Sequence, residues 1–486
     1  MRVFLTSLVL TVTIISSCAA TDALRLQNQA VMFATSEKKL DQSEYDSLTE
    51  IILKSTDGSL ERFLTENGKQ VDHPKFVQYL KTLFETKKIP INPQDIWQPT
   101  NSDVTAKFNV NVYIENSASM DAYFAGVTEL ETVIYNMLAN LKISGVSEVT
   151  SLSFVNSKVT FSKDNISSQE IDNLITKIEP ETFRKLGGDR GVTDIKDVVK
   201  LVLDKVDEKN AAILISDFVF SPGKNANAQD YLNNQTVGLK INFAEKLKEL
   251  DLAVAIIQLS SNFNGNYYDR TGQIHKLNCQ RPYYLWVIGS TDQVRTLLHK
   301  NILTDIKGGY LNRIVFYSDK SPETLDYKIQ FRPQFGDLPD GAKGPITKAK
   351  VSKDGTFGFN VAVDFSRSLQ DMNYFLDPYI YRVSNNSYKL SVDVVSSNDN
   401  SLSGYTHMLK FVADNVNEET LTVDVMNGIP TWVTTSNSSD DLSIACENDE
   451  SKKTFGLKNE VDGIAEAFYS QNRVAPLGSF SVSIRK

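Results

Sequence analysis

Side chains with oxygen atoms follow two strand-like segments and one glycine-rich segment of this 486-residue chain. The first is Glu115-Asn116-Ser117-Ala118-Ser119, directly after the strand-like run VNVYI at 110–114. The second is Thr193, after a glycine-rich run at 187–191, and the third is Asp217, after AAILIS at 211–216. Hard oxygen ligands of this kind suit Mg²⁺, Mn²⁺ or Ca²⁺ better than zinc. The candidate metal ligands are therefore Glu115, Ser117, Ser119, Thr193 and Asp217.

The elements that must position these side chains alternate between strands and helices from Phe108 onward. The run AAILISDFVF at 211–220 has too many consecutive apolar residues for a half-exposed strand, and it suits a strand buried on both faces of a parallel sheet. The pattern predicts a doubly wound, Rossmann-like α/β domain over 106–305. Ligands of such sheets bind beyond the carboxyl ends of the strands, where these oxygen side chains are expected to meet.

These residues resemble the metal-ion-dependent adhesion site (MIDAS) of the von Willebrand factor A family. That site consists of Asp-x-Ser-x-Ser after the first strand, a Thr on a later loop and an Asp after the fourth strand. The residues that match by type, order and context are Ser117, Ser119, Thr193 and Asp217. Glu115 replaces the first Asp, and Phe218 stands where many members have Gly. The resemblance implies a von Willebrand A-like domain that leaves one coordination position of a cation open for a partner's carboxylate.

Glu115 is the informative departure from this pattern. Glutamate carries its carboxylate one C–C bond further from the backbone than aspartate does, about 1.5 Å. Mg²⁺ demands near-ideal octahedral geometry, whereas Ca²⁺ tolerates displaced ligands. Glu115 either binds the cation directly or crowds it out. In the alternative interpretation the site is degenerate: Ser117 and Ser119 cap the following helix and Asp217 accepts backbone hydrogen bonds.

The amino-terminal segment has the pattern of a cleaved secretion signal. Arg2 precedes an apolar run at 3–15 that is too short to span a bilayer as a helix. Its end, Ile15-Ser16-Ser17-Cys18, resembles a bacterial lipobox, which implies a signal peptide over 1–17 and a lipid on Cys18. An ordinary signal peptide cut near Ala19 is the alternative. The expected location is the cell envelope, with the outer membrane favoured because Ala19 follows the cysteine.

The rest of the chain divides into regions by pattern. Residues 18–36 are mostly small and polar, as expected for a tether, and 37–105 have helical spacing followed by a proline-rich linker. Short alternating runs over 310–486, beginning with RIVFYS at 313–318, predict an all-β, sandwich-like domain. One helix is expected late in that domain, at 452–469, because Leu457, Val461 and Ile464 fit one helical face.

Two cysteines remain in the mature chain, Cys279 and Cys446. In an oxidising compartment they can form a disulfide, and the bridge would stabilise the fold by ~5 kcal/mol in the chain-entropy model. The alternative is two separate buried thiols. The sequence does not decide between the two.

Charge and motifs narrow the function classes. The net charge is −9 and no basic stripe is present, so nucleic-acid binding is not expected. The chain contains no HExxH, GxSxG or CxxC motif and no phosphate-binding loop ending in Gly-Lys-Ser/Thr. The sequence favours a surface-anchored, non-enzymatic binding or assembly module that engages an acidic group of a protein partner. The alternatives are an envelope hydrolase that uses a metal at the same loops, and a purely structural envelope component.

Overall fold

The computed structural model describes most of the chain. The described residues are 21–37, 39–64, 71–91, 96–97, 107–175, 178–185, 190–191, 194–220, 227–299, 302–303, 308–317, 323–330, 335–339, 342–366, 368–396, 400–402, 404–470 and 476–486. The predicted signal peptide at 1–17 and the predicted lipidation site Cys18 lie outside them. The chain divides into two compact units, Met1–Val104 and Thr105–Lys486.

The first unit is built from helices α1 (Asp22–Glu37), α2 (Gln42–Lys54) and α3 (His73–Thr86). Helix α2 begins with a capping box in which Asp41 and Glu44 satisfy each other's backbone N–H groups. The prediction of a tether over 18–36 is wrong for the described part of that segment. Residues 22–36 are helical because Leu26, Ala30 and Ala34 recur on one face and are buried in the core of this unit.

The second unit opens with alternating strands and helices, as predicted. Their bounds are β1 (Phe108–Glu115), α4 (Glu129–Ser144), β2 (Ser147–Val155), β3 (Val159–Lys163), α5 (Ser168–Ile175), α6 (Pro180–Arg184), α7 (Ile195–Leu203), β4 (Asn210–Ser216), α8 (Ala228–Lys246), β5 (Leu252–Tyr268), β6 (Ile274–Ser290), α9 (Thr291–His299) and β7 (Tyr310–Tyr317). The amphipathic pattern of α4 buries its apolar face against the central sheet.

The central sheet has the strand order β3-β2-β1-β4-β6-β5-β7. Only the β2-β1-β4 part is parallel, and the remaining neighbours pair antiparallel. The prediction of a doubly wound parallel sheet is therefore corrected to a mixed sheet. The reason is the short connection at 269–273, which joins two 17-residue strands and so makes β5 and β6 a hairpin. This hairpin lies beside β4 with β6 as the neighbouring strand.

The remaining elements are β8 (Glu323–Thr324), β9 (Asp326–Gln330), β10 (Phe357–Asp364), β11 (Tyr381–Val383), β12 (Lys389–Val394), β13 (His407–Ala413), β14 (Glu419–Met426), α10 (Thr431–Thr435), β15 (Asn437–Ser438), β16 (Thr454–Phe455), α11 (Leu457–Ser470) and β17 (Pro476–Ile484). They include two further sheets, ordered β12-β13-β10-β9 and β11-β14-β17-β8. Pairing is antiparallel in both except between β17 and β8. The coarse prediction, an α/β part followed by largely antiparallel sheets, is confirmed.

Two segments assigned to the carboxyl-terminal β domain belong instead with the α/β elements. Strand β7, which contains RIVFY, pairs with β5 at the edge of the central sheet. Helix α11 packs against α8, and at Gly463 an added Cβ would lie 2.6 Å from the carbonyl oxygen of Thr236. Apolar residues of the central sheet and of both further sheets share one core, so the predicted boundary between 305 and 310 does not separate compact units.

Within the part of the chain that the structure describes, no helix is long and apolar enough to cross a bilayer.

Candidate functional site

Strands β1 and β4 bring the predicted ligands to one edge of the sheet. They are parallel neighbours, and their register pairs Ile114 with Ile215. Both strands are buried on both faces over their last residues. Glu115, which ends β1, and Asp217, which follows β4, therefore emerge side by side at the carboxyl edge.

Hydrogen bonds join three of the five predicted ligands. The hydroxyls of Ser117 and Ser119 lie 2.9 Å apart, and the Ser119 side chain is hydrogen-bonded to the Asp217 carboxylate. Asp217 also accepts a bond from the backbone N–H of Val219, at 3.3 Å. These bonds link the loop after β1 to the loop after β4 through two hydroxyls and one carboxylate.

Glu115 is directed toward a residue that sequence reasoning missed. Its carboxylate accepts a hydrogen bond from the hydroxyl of Ser216, the last residue of β4. The same hydroxyl accepts the backbone N–H of Phe218 at 2.8 Å. Ser216 was identifiable only through its position immediately before Asp217, since a buried serine at a strand end has no pattern of its own.

Arg190 ties the glycine-rich segment to the loop after β1. Its side chain donates to the Asn116 side chain at 2.9 Å and to the Ser117 carbonyl at 2.9 Å, and it forms an ion pair with Asp121. Its own carbonyl accepts the N–H of Ala118 at 3.1 Å. The predicted ligand Thr193 and the glycines at 187–188 lie outside the described residues, so the place of Thr193 stays a prediction.

Burial dominates the electrostatics of this cluster. Glu115 and Asp217 are each 2% exposed and Ser117 is 5% exposed, whereas Ser119 is partly exposed. Burial raises the pKa of the Asp217 carboxyl, and the bond from Ser119 and the positive charge of Arg281 act in the opposite direction. Of these side chains, Ser119 provides the contact with solvent.

Phe218 occupies a conformation that favours glycine. Its φ is +49°, in the left-handed region. Its ring stacks on the indole of Trp286, with centroids 4.3 Å apart and the planes 9° from parallel. This stacking offsets the backbone strain that a large side chain incurs there. Trp286 on the adjacent strand β6 thus accommodates a phenylalanine at this left-handed position.

A third carboxylate, Glu460 on α11, was not predicted for this region. It is fully buried, and among the described residues no donor lies within hydrogen-bonding distance of either of its side-chain oxygens. Burial, reinforced by the negative charges of Glu115 and Asp217, raises its pKa well above the usual range. The sequence could have predicted its burial: Glu460 lies three residues after Leu457 and four before Ile464, on the apolar face of the predicted helix.

The segment before α11 is held on the β5–β6 hairpin. Cys279 and Cys446 form a disulfide, with Cα atoms 5.7 Å apart, which resolves the choice left open by the sequence. The fully buried guanidinium of Arg281 donates to the carbonyls of Ser451 and Lys453, at 3.0 and 3.3 Å. These contacts fix the segment that leads to Glu460, although it is distant in sequence from the loop after β1.

Tyr267 and Asp441 add a buried polar contact between the same two segments. The phenol of Tyr267 donates to the Asp441 carboxylate at 2.6 Å. Burial raises the pKa of both groups. The hairpin and the segment that crosses it are therefore linked by a disulfide, a guanidinium and a phenol.

The donor set determines which cations this cluster suits. Within the described residues, no three His, Cys, Asp or Glu side chains are grouped so as to hold a metal ion. A cation here would depend on the hydroxyls of Ser117 and Ser119 together with the Asp217 carboxylate. This set consists only of oxygens, which fits Mg²⁺, Mn²⁺ or Ca²⁺ and does not fit a soft metal.

Comparison with known proteins gave no assignment. No protein-family model matches the chain, and no curated protein matches it.

Proposed function

We propose that this protein is a non-enzymatic binding or assembly module of the cell envelope, with a von Willebrand A-like α/β core. In this proposal Ser117, Ser119 and Asp217, joined by Thr193, hold a divalent cation of the Mg²⁺, Mn²⁺ or Ca²⁺ class. The bound cation would supply an open coordination position for an acidic group of a protein partner. A lipid on Cys18 would hold the protein at a membrane, preferentially the outer membrane.

The observation that carries the proposal is the hydrogen-bonded chain from Ser117 through Ser119 to Asp217. Its members come from two parallel strands whose carboxyl ends meet, which is where ligands of α/β sheets bind. The buried Asp217 carboxylate has a raised pKa, so a positive ion beside it would be favourable. Hydroxyl and carboxylate oxygens thus converge on a point where negative charge is poorly solvated.

Exposure and charge around Ser119 support an acidic partner. Ser119 is the partly exposed member of the chain of hydroxyls. Asp121, two residues beyond Ser119, pairs with both Arg184 and Arg190, and the Arg184 side chain is 58% exposed. Two guanidinium groups against one carboxylate leave a net positive charge here, which attracts a partner's carboxylate. In a chain with a net charge of −9, this local positive charge favours an anionic partner group.

Partner capture tests this function. The purified protein is immobilised and exposed to detergent extracts of native membranes with Mg²⁺ and Mn²⁺, and bound proteins are eluted with EDTA. We expect a protein that the wild type retains and EDTA releases, and that the Asp217→Asn variant does not retain. Asp217→Asn keeps the size of the side chain and removes the charge. If neither EDTA nor Asp217→Asn reduced the retention of the bound protein, the proposal would be contradicted.

A further inference from the structure

A second candidate site lies at β7, the edge strand of the central sheet. Through the strand register, Asn312 of β7 is level with Ser216 at the end of β4, so this site and the cation cluster lie toward the same edge of the sheet, three strands apart. A cleft of about 410 Å³ is formed by β7, by the two short turns at 372–376 and 378–380, and by the start of α10. Its volume falls within the range of about 300–1,000 Å³ that is usual for small-molecule sites. Every lining residue belongs to the second unit and to the described part of the chain.

The walls of the cleft are held in place by hydrogen bonds. Asp377 accepts the N–H of Tyr379 at 3.0 Å and the N–H of Thr431 at 3.1 Å, so it joins one wall to the other. The hydroxyl of Tyr374 donates to the Met426 carbonyl at 2.8 Å and accepts the N–H of Gly428 at 2.8 Å. A cleft fixed in this way is preformed, which lowers the entropic cost of binding.

Aromatic side chains in the cleft are available to a ligand. Tyr379 is 86% exposed, the most exposed of the large aromatic residues in the described chain, and it follows the exposed Pro378. Trp432 is a second aromatic residue of the lining, half-buried, with its indole N–H enclosed by the protein. The exposed ring of Tyr379 offers an apolar face for a ligand to stack on, and its phenol offers a polar edge.

Polar groups surround these rings and include both donors and acceptors. Asn312 and Asn373 supply amides, Arg313 a guanidinium, and Asp371 and Asp377 carboxylates. The carboxylates of Asp371 and Asp377 already accept backbone N–H groups, and their oxygens have further lone pairs with which to accept from a ligand. An apolar ligand would make no use of this remaining capacity. A strongly anionic ligand would face two carboxylates against one guanidinium. A neutral ligand with several hydroxyls can donate to the carboxylates and accept from the amides and the guanidinium.

We propose that this cleft binds a neutral carbohydrate, with the C–H face of one sugar ring stacked on Tyr379 and its hydroxyls bonded to the surrounding amides and carboxylates. Carbohydrates present apolar ring faces and polar edges together, and the lining of the cleft matches both. The site is independent of the cation cluster, since the two share no residue. It gives the protein a second binding surface, on the side of the central sheet that β7 borders.

The test uses neutral oligosaccharides of glucose, mannose, galactose and N-acetylglucosamine, first on an array and then by calorimetric titration of any sugar retained. We expect one class to bind the wild type. Tyr379→Ala should lower its affinity at least tenfold, while Tyr379→Phe, which keeps the ring, stays within about threefold. Because Tyr379 is exposed, its replacement should leave the melting temperature unchanged.

Matched controls make the outcome decisive. Tyr135→Ala replaces another partly exposed tyrosine, on α4, and should bind like the wild type. Quenching of tryptophan fluorescence by the sugar should disappear in Trp432→Phe. The proposal is overturned if no neutral oligosaccharide binds, or if Tyr379→Ala binds as tightly as the wild type. It is also overturned if a proline-rich peptide, the other ligand that suits aromatic grooves, binds in place of the sugars.

Discussion

The carboxyl edge of the sheet is assembled from two regions that differ in how they are built. The first comprises the loops after β1 and β4, where Ser117, Ser119, Ser216 and Asp217 are hydrogen-bonded to near neighbours in the fold. The second is the segment 436–470, which arrives from beyond the antiparallel sheets and brings Glu460. In the first region buried polar groups are satisfied locally, whereas in the second a buried carboxylate has no hydrogen-bond partner among the described residues.

This difference shows where each region obtains its stability. The loops after β1 and β4 follow directly from the parallel pairing of two buried strands, so a short sequence suffices to form them. The segment 436–470 is far from the hairpin in sequence and needs cross-links to stay on it, namely the Cys279–Cys446 disulfide and the contacts of Arg281. A region that depends on a few long-range contacts should be the more sensitive to their removal.

The largest effect is expected from removing the disulfide. Cys279 and Cys446 are separated by 167 residues, and closing a loop of that length stabilises the fold by about 5 kcal/mol in the chain-entropy model. The double variant Cys279→Ser/Cys446→Ser should lose most of that free energy of unfolding, as measured by urea denaturation. Each single variant should lose a similar amount, since either one breaks the bridge. A loss below about 1 kcal/mol would mean that the remaining contacts hold the segment alone.

The next effect concerns the unpartnered carboxylate. Because the folded-state pKa of Glu460 is raised above its unfolded value, the folded state holds this proton more tightly. The resulting contribution to stability is fully present below the unfolded pKa and is lost as the pH rises through the folded pKa. Glutamine does not titrate, so Glu460→Gln does not lose this stability as the pH rises. The variant should therefore melt a few degrees higher than the wild type at pH 8 in EDTA. The difference should shrink toward pH 4.

Glu466→Gln provides the control on the same helix. Glu466 is 55% exposed and pairs with Lys240 at 2.9 Å, so its replacement should change stability by no more than about 0.5 kcal/mol at any pH. If Glu460→Gln proved no more stable than wild type at pH 8, the segment 436–470 would have to supply a hydrogen-bond partner for this carboxylate. The contrast between the two regions would then fail.

The smallest effect should come from Glu115→Asp. An aspartate is one C–C bond shorter, so its carboxylate cannot lean toward Ser216 as that of Glu115 does. We expect cation affinity to rise about tenfold, which corresponds to about 1.4 kcal/mol. Glu115→Gln, which keeps the length and removes the charge, should lower the affinity and so separate the effect of length from that of charge. Equal affinities in wild type and Glu115→Asp would mean that Glu115 does not detune the site.

Much of the first region was predictable from sequence and little of the second. Buried apolar runs identified β1 and β4, and helical spacing identified α4, because these elements form from local periodicity. Strand order is set by tertiary packing, so neither the insertion of β6 beside β4 nor the assignment of β7 to the central sheet could be predicted. The spacing of apolar residues around Glu460 predicted a helix. The surface against which that helix packs depends on the path of the whole chain, so it could not be predicted.

Cation binding by the loops after β1 and β4 is the central claim, and calorimetric titration of Mg²⁺, Mn²⁺ and Ca²⁺ into the purified protein tests it most directly. The account predicts saturable heat at one site per chain for at least one of these ions, and a rise in melting temperature with the same ion. It also predicts that both signals vanish in Asp217→Asn. No heat from any of the three ions, with an unchanged melting temperature, would contradict it.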